Sequence, residues 1–301
     1  MQTALQPTPT HESTRHCYAV AGGVNLHWVE VGDSDANPPL ILLHGLNDCC
    51  STWKHIMTDL AKDRRVLILD LPGHGYSERP DASYALQWYA MVIAQWFDLL
   101  DIQQVDCVGH SFGGGVAQML LRECRYRIRR LALLSSGGLG REVALELRLA
   151  SIPWVVEKFG QPFMALGTRM ALWGIRHSFS RDQITELSEM NSQQGSARTL
   201  GRTVGDVINW RGQTRTFFQH AHEIPDLPPI GLFWGDLDRI IPIAHARKLV
   251  DVVDDSFLKV FEGCGHFPHH EQPQGVVQAF QEFFNAPMPC VAEPMSGRRS
   301  A

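Results

Sequence analysis

The chain alternates short, uninterrupted apolar runs with longer segments in which apolar residues recur at helical spacing. A continuous apolar run of about four to eight residues is typical of a strand that is buried on both faces of a parallel sheet. Such runs predict strands at 40–43 and 66–69, and mostly apolar, β-prone stretches predict further strands at 104–108, 128–134, 229–234 and 257–261. Helical spacing predicts helices near 51–61, 84–100, 115–123, 244–253 and 273–284. The alternation predicts an α/β fold with a doubly wound, mostly parallel sheet.

Two interruptions of this alternation define the domain organisation. At the start, the β-like stretches 17–21 and 24–31 meet at Gly22-Gly23, which predicts a hairpin. Between Ser135 and Pro229 the strand pattern stops and helical periodicity remains. We interpret this segment as a helical insertion, here called the cap, over the sheet edge at which open α/β sheets bind ligands. The predicted units are flexible tails at 1–15 and 286–301, an α/β core at 16–138 and 226–285, and the cap at 139–225.

Composition narrows the class of protein. Hydrophobic residues make up 44% of the chain and charged residues 20%, and the net charge is −5. A negative net charge offers no basic field for nucleic acid or an anionic membrane. Residues 1–16 lack the apolar core of a signal peptide, and no apolar run approaches the roughly 20 residues of a membrane span. We therefore expect a cytoplasmic protein without stable membrane insertion and without a nucleic-acid partner.

The seven cysteines also favour a cytoplasmic location. Their number is odd and none shows C-x-x-C spacing, which favours free thiols in a reducing compartment. The histidines likewise show no spacing typical of a metal site.

The stretch from Val105 to Gly114 has the form strand, sharp turn, helix, with the pattern G-x-S-x-G centred on Ser111. Glycines flank the serine at positions 109 and 113, because such a turn leaves no room for side chains there. The turn would place the serine hydroxyl at a helix N-terminus and leave the N–H of Phe112 facing a developing negative charge. An ordinary glycine-rich turn has the same five-residue pattern, so the pentapeptide alone does not decide its function.

A serine hydroxyl needs a base to take its proton, and the base needs an acid that orients it. Two aspartates, Asp236 and Asp238, follow the predicted strand that ends at position 234. Three histidines follow the strand that ends at position 261. The histidines are His266, His269 and His270. Because each group follows a strand of a parallel sheet, each lies at the same sheet edge as Ser111, and the residues alone leave the choice within each group open.

Five motifs at successive strand ends give the chain a clear resemblance to the α/β-hydrolase superfamily over most of residues 17–285, apart from the cap. They are His44-Gly45, Asp70-x-Pro72-Gly73-His74-Gly75-x-Ser77, Gly109-His110-Ser111-Phe112-Gly113-Gly114, Gly235-x-x-Asp238-x-x-x-Pro242 and Gly265-His266-x-Pro268. The resemblance implies that Ser111 is the nucleophile, Asp238 the acid and His266 the general base. It implies an oxyanion hole formed by the backbone N–H groups of Leu46 and Phe112. The spacing to Pro242 favours Asp238 over Asp236, and the G-H-x-P pattern favours His266 over its neighbours.

The resemblance also implies a type of reaction. Haloalkane dehalogenases and epoxide hydrolases of this superfamily use an aspartate at the elbow, whereas a serine indicates acyl chemistry. The C–C bond hydrolases use serine with a glycine-rich loop after His-Gly, and this chain has Leu46-Asn47-Asp48-Cys49-Cys50 there. The resemblance therefore implies a serine hydrolase that cleaves carboxylic esters of apolar acids through an acyl-enzyme, with no cofactor and no metal. The alternatives are C–C hydrolysis or acyl transfer on the same triad, and a slow-turnover ligand-binding receptor.

The cap should determine which substrate enters. The candidates for substrate contact are Trp154 and Trp173 in the cap and Phe267 beside the predicted base. The competing interpretation is that aromatic residues bury one face of each cap helix, as helices require. Three cap arginines are candidates for binding a carboxylate, although lone arginines are usually solvated. They are Arg169, Arg176 and Arg211.

Overall fold

A computed structural model describes residues 14–149, 152–175, 177–219, 221–253 and 256–288. The predicted tails fall largely outside the described residues. The strands are β1 Arg15–Ala21, β2 Val24–Val31, β3 Leu40–Leu43, β4 Val66–Leu69, β5 Val105–His110, β6 Ile128–Leu134, β7 Ile208–Asn209, β8 Gly212–Gln213, β9 Ile230–Gly235 and β10 Phe257–Phe261. The α-helices are α1 Met57–Leu60, α2 Leu86–Leu99, α3 Phe112–Glu123, α4 Leu145–Leu149, α5 Pro153–Phe159, α6 Met164–Trp173, α7 Arg181–Ser192, α8 Ser196–Val207, α9 Ala244–Val250, α10 Pro268–Glu271 and α11 Pro273–Asn285.

Eight strands form one sheet in the order β1-β2-β4-β3-β5-β6-β9-β10. The first hairpin is antiparallel and joins β4 antiparallel, and every other pairing is parallel. Strand β3 pairs Leu43 with Leu69 of β4 and with Gly109 of β5, so these three strands end together at one edge. The predicted doubly wound, mostly parallel α/β sheet is confirmed.

Helices cover both faces of the sheet, which explains why its central strands read as continuous apolar runs. Every residue of β3, β4 and β5 is buried. On one face α2 and α3 contribute Trp96, Phe97 and Leu120 to the larger hydrophobic cluster. On the other face α11 contributes Phe280 and Phe283. Within the described residues, every helix is too short or too polar to cross a lipid bilayer.

Helix α3 begins three residues before its predicted start and α9 ends three residues before its predicted end. Two further predicted helices differ from the observed ones for local reasons. The helix predicted at 84–100 begins at Leu86, because Tyr84 has a φ of 57°, which a right-handed helix does not accept. The helix predicted at 51–61 is instead a 3₁₀ turn at Cys50–Trp53 followed by the short α1. The N–H of Ile56 donates to the carbonyl of Trp53, and both side chains are buried at the three-residue spacing that a 3₁₀ turn aligns.

The segment between β6 and β9 contains α4 to α8, and also the short ladder of β7 with β8 that the sequence did not predict. Helix α7 lies over the turn after β3, where the Nδ2 of Asn191 donates to the carbonyl of Asn47 at 2.7 Å. After β8 the chain returns to the sheet domain, because Phe217 and Ile224 belong to the larger hydrophobic cluster. The inserted helices therefore end at Val207, before the predicted limit of 225.

Candidate active site

Ser111 occupies a strained turn between β5 and α3. Its backbone has φ 53° and ψ −118°, which is rare for any residue with a Cβ. The surrounding chain holds this conformation: the N–H of Ser111 donates to the carbonyl of Leu134 at 3.0 Å, and its carbonyl accepts from Gly114 at 3.0 Å and Gly137 at 2.9 Å. Strain of this kind persists only where the neighbouring structure enforces it, and it concentrates at functional sites.

Close backbone packing explains the glycines around this turn. A Cβ on residue 109 would lie 2.4 Å from the carbonyl oxygen of Gly113, and a Cβ on residue 113 would lie 2.4 Å from that of His44. A Cβ on residue 114 would lie 2.0 Å from the Oγ of Ser136. The G-x-S-x-G-G pattern is therefore a steric requirement of this turn.

The structure brings Ser111, His266 and Asp238 into one hydrogen-bonded chain. The Nε2 of His266 lies 2.9 Å from the Oγ of Ser111, and its Nδ1 lies 2.8 Å from the Oδ2 of Asp238. The other oxygen of Asp238 accepts from the N–H groups of Ile240 at 2.8 Å and Ile241 at 2.9 Å. Both the aspartate and the histidine are buried. This arrangement can move a proton off a serine hydroxyl.

The competing residues make different contacts. The Oδ1 of Asp236 accepts from the N–H of Gly263 at 2.7 Å, so this exposed aspartate joins the loops after β9 and β10. His269 and His270 both bond the Oγ1 of Thr52, at 3.0 Å and 2.9 Å, and neither bonds Ser111 among the described residues. The geometry thus favours the acid and base that the motif spacing indicated, and their catalytic roles remain predictions.

The loop after β3 passes directly beside the serine. A Cβ on Gly45 would lie 3.3 Å from the Cβ of Ser111. Asn47 turns the loop with a φ of 55°, and its carbonyl is bonded by Asn191 of α7. Within the described residues the N–H groups of Leu46 and Phe112 have no hydrogen-bond acceptor. Both are free to donate to a ligand, as the predicted oxyanion hole requires.

His110 holds the backbone of the predicted base, which sequence reasoning did not show. Its Nε2 lies 2.9 Å from the carbonyl oxygen of His266, so Nε2 carries the hydrogen of this bond. Burial, followed by the charges of neighbouring histidines, lowers the pKa of His110 well below its usual range. The imidazole therefore stays neutral. The sequence marked His110 only as a residue of the serine motif.

Two glutamines support the turn at 135–138, whose Gly137 bonds the carbonyl of Ser111. The Nε2 of Gln118 donates to the Oγ of Ser136 at 2.9 Å and to the carbonyl of Gly137 at 2.7 Å. The Oε1 of Gln213 accepts from the N–H of Gly138 at 2.7 Å. Single glutamines carry no pattern in a sequence, so these supports were not predicted.

Two buried carboxyl groups lie near the loop after β3. Burial raises the pKa of Asp48 to about 7, against the hydrogen bond from the N–H of Cys49. Burial would also raise the pKa of Asp70, but its bond to His27 at 2.7 Å and the nearby His44 outweigh burial and hold that pKa below its usual range. Asp70, His27 and Cys50 place potential metal-binding atoms within 4.8 Å of one another. The carboxylate oxygens of Asp70 already bind the N–H groups of Cys50 and Tyr76, so we assign this group a structural role.

The predicted substrate contacts fall into two groups. Phe267 is buried, with its ring perpendicular to that of His266 at 5.1 Å between centroids, and it packs on Phe179 of the cap. Trp154 and Trp173 are each 66% exposed, so neither is buried around Ser111, and their contact with a substrate remains a prediction. Of the candidate arginines, Arg169 is exposed, the guanidinium of Arg211 lies 4.5 Å from the ring centroid of Trp210, and Arg176 is outside the described residues.

Known proteins share this fold and much of this sequence. The family model described as alpha/beta hydrolase fold matches residues 38–273. An uncharacterized protein of Mycobacterium tuberculosis is 31% identical over 266 residues, covering 84% of this chain and 77% of the relative. The 2-hydroxymuconate semialdehyde hydrolase of a Pseudomonas species is 30% identical over 270 residues, covering 88% of this chain and 91% of the relative. The crystal structure of Cfl2 from Burkholderia cenocepacia superposes with a TM-score of 0.77 at 24% identity, covering 94% of this chain and 100% of that one. With a family match that covers six of the eight strands of the sheet, the serine turn and the inserted helices, this chain belongs to the α/β-hydrolase family.

Proposed function

We propose that this protein is a serine hydrolase that cleaves carboxylic esters through an acyl-enzyme on Ser111. The observation that carries the proposal is the hydrogen-bonded chain from the Oγ of Ser111 through His266 to Asp238. A nucleophile in contact with a base, and a base oriented by a buried acid, form the arrangement that acyl transfer requires.

In the proposed acylation step, the Nε2 of His266 accepts the proton of the Ser111 hydroxyl while Oγ bonds to the acyl carbon. The carbonyl oxygen becomes an oxyanion that the N–H groups of Leu46 and Phe112 stabilise. His266 then gives its proton to the ester oxygen, the carbon–oxygen bond breaks and the alcohol leaves. Throughout, Asp238 keeps the hydrogen of the imidazole on Nδ1 and stabilises the imidazolium.

Deacylation repeats the cycle with water. His266 takes a proton from water, the hydroxide oxygen bonds to the acyl carbon, and the Ser111 oxygen leaves with the proton that His266 returns. An acid is released and the serine is restored. All proton transfers pass through one histidine, whose backbone carbonyl is held by His110.

Apolar side chains beside the reacting atoms support an ester with an apolar acyl group. Phe112 follows Ser111 and Phe267 follows His266 in the chain, both are buried, and Leu46 is partly buried on the loop after β3. Such side chains would stabilise a hydrocarbon acyl chain by removing it from water.

C–C bond hydrolysis on the same triad is a second candidate, because one relative at 30% identity is a 2-hydroxymuconate semialdehyde hydrolase. A muconate-type substrate carries a carboxylate, which calls for a cation in the site. The two described arginines that the sequence marked as candidates, Arg169 and Arg211, are both exposed, so neither is buried beside Ser111. We therefore rank ester hydrolysis first.

A substrate comparison tests this ranking. The purified chain is assayed for kcat/KM on p-nitrophenyl esters of increasing acyl length and on 2-hydroxymuconate semialdehyde. We expect the esters of intermediate length to be the better substrates. A kcat/KM for the semialdehyde above that of every ester would reverse the ranking, and turnover of all of them no faster than by Ser111→Ala would favour a ligand-binding receptor.

The same assay contains a matched pair that tests the acid. Asp238→Asn should lower kcat by about 10⁴, because the imidazole would adopt the wrong tautomer. Asp236→Asn changes an exposed carboxylate that accepts from the Gly263 N–H, and it should change kcat less than about tenfold. Equal losses in the two variants would contradict the assignment of Asp238.

A further inference from the structure

Helix α6 has several of its large apolar residues on the outside, while Leu172 packs inward. Met164 and Thr168 face inward and are buried, and the Oγ1 of Thr168 has no hydrogen-bond partner within the described residues. Phe163, Leu166 and Met170 are between 57% and 68% exposed. A surface helix normally shows the opposite distribution, with polar residues toward water.

The exposed residues form one stripe. At 3.6 residues per turn, Phe163, Leu166, Met170 and Trp173 project within an arc of about 80° on one side of the axis. Gly167 and Gly174 border this stripe and add no polar group. The stripe is therefore an apolar face that runs the length of α6.

The segment before α6 continues this character. Helix α5 packs against α8 closely, since a Cβ on Gly201 would lie 2.7 Å from the carbonyl oxygen of Pro153. Apart from Lys158, its exposed residues are again large and apolar. We use the name outer cap face for the α6 stripe together with the exposed apolar residues that precede it in the chain: Ile152, Trp154, Val155, Phe159, Phe163, Leu166, Met170 and Trp173. So many exposed large apolar side chains in one segment of 22 residues mark an interaction surface.

The exposed charged side chains of this segment are positive. Residues 152–175 contain three charged side chains, Glu157, Lys158 and Arg169. Glu157 is directed at the guanidinium of Arg202 on α8, at 2.7 Å. Lys158 and Arg169 are exposed, and the Lys158 ammonium lies 5.5 Å from the ring centroid of Phe159. Although the whole chain has a net charge of −5, the outer cap face is therefore apolar and cationic.

Aromatic residues at the ends of an apolar helical face, with cations at its border, are the features that favour the boundary between lipid headgroups and acyl chains. We propose that the outer cap face binds the surface of a membrane that contains anionic lipids, with α5 and α6 lying in the plane of the headgroups. The residues that project from α6 would enter the acyl region, and Lys158 and Arg169 would contact lipid phosphates.

Two other occupants fit less well. A second copy of the same face would bring two more cations to the contact, with no exposed acid in residues 152–175 to offset them. The chain's own terminal segments, 1–13 and 289–301, are rich in polar residues and proline and offer few apolar side chains for a face of this size.

Vesicle flotation with the full chain tests the proposal. The probes are vesicles of phosphatidylcholine alone and of phosphatidylcholine with about one third phosphatidylglycerol. We expect flotation with the anionic vesicles and a decrease with added salt. Leu166→Gln/Met170→Gln should reduce the bound fraction by about tenfold or more, because two side chains of the stripe could no longer enter the acyl region. The matched control, Tyr126→Gln/Val252→Gln, removes two apolar side chains that are 75% and 60% exposed on the sheet domain, and it should bind as the unaltered chain does.

Two further measurements keep the proposal falsifiable if the double variant misfolds. In flotation, Lys158→Gln/Arg169→Gln should lose the preference for anionic vesicles. In a separate measurement, vesicles with brominated acyl chains should quench the tryptophan fluorescence of the unaltered chain. Absence of flotation, or equal flotation of Leu166→Gln/Met170→Gln and its control, would overturn the proposal. Light scattering tests the alternative that the face binds a second copy. A dimer that Leu166→Gln/Met170→Gln abolishes and the control variant does not, in a chain that does not bind vesicles, would assign the face to a second copy instead.

Discussion

At the scale of single residues, the central feature is that Ser111 carries a Cβ where the backbone favours glycine. Its φ of 53° with ψ of −118° costs about 1–3 kcal/mol for a residue with a side chain. The hydrogen bonds from Gly114 and Gly137 to its carbonyl fix this conformation. The turn exposes the hydroxyl to His266, so backbone strain and the position of the predicted nucleophile have one cause.

The strain is measurable with two variants that both lack the hydroxyl. Ser111→Ala and Ser111→Gly should each lower kcat by about 10⁴ to 10⁶. Ser111→Gly should also be more stable than Ser111→Ala by about 1 kcal/mol in urea unfolding, because relief of strain exceeds the extra entropy of glycine in the unfolded chain.

Thr185, exposed in the middle of α7, provides the control for this pair, since there glycine should be less stable than alanine by about 1 kcal/mol. If the glycine variant were less stable than the alanine variant at both positions, Ser111 would not be strained.

At the scale of secondary structure, residues that act through local pattern were predictable and those that act across the fold were not. The strands β3, β6 and β10 are found where apolar runs predicted them. The motifs at the strand ends marked Ser111 and its partners because their spacing is local. The role of Gln118 depends on how α3 packs against the turn after β6, and that of Gln213 on how the inserted segment returns to the sheet, and no local pattern records either contact.

Contacts between the inserted segment and the sheet domain also determine which part of the cap can be deleted while the active site is retained. Leu147 of α4 packs with Val204 and Ile208, so the two ends of the inserted helices lie close together. Replacing 146–205 with a short Gly/Ser linker would retain Asp206, which accepts from the N–H of Leu86 at the start of α2, and Gln213, which holds Gly138. This variant should still hydrolyse p-nitrophenyl acetate.

Its discrimination between acyl lengths should become nearly flat if the cap helices enclose the acyl chain. Each enclosed methylene adds about 0.8 kcal/mol, or roughly fourfold in kcat/KM, only while apolar walls surround it. The longer deletion 139–225 would also remove Gln213 and the buried Phe217, and it should lose activity on the acetate ester as well. A monodisperse 146–205 variant with an unchanged length profile would place the acyl pocket in the sheet domain.

At the scale of the whole molecule, buried histidines make stability depend on pH. Burial lowers the pKa of His74 to about 3 and that of His270 to about 4, and it lowers those of His110 and His269 well below their usual range. In the unfolded chain these groups bind protons below a pH of about 6.5. The folded state does not bind them until the pH falls much further, so its stability is lost progressively as the pH falls from about 6.5 toward 4. Each such histidine contributes a slope of about 1.4 kcal/mol per pH unit in this range.

Asp48 acts in the opposite direction, and this difference in sign makes the effect testable. Its folded pKa of about 7 is above the unfolded value, so its contribution to stability is present below a pH of about 4 and is lost as the pH rises through 7.

Urea unfolding of the unaltered chain at several pH values between 5 and 8 should show stability falling toward acid. His270→Gln should make this dependence shallower below pH 6.5, because the unfolded state gains one proton fewer. Asp48→Asn should stabilise the chain at pH 8, where the buried carboxylate would otherwise be charged, and should steepen the dependence between pH 5 and 7. A shift of the same sign in both variants would contradict the account, since a general loss of packing lowers stability at every pH and leaves the slope unchanged.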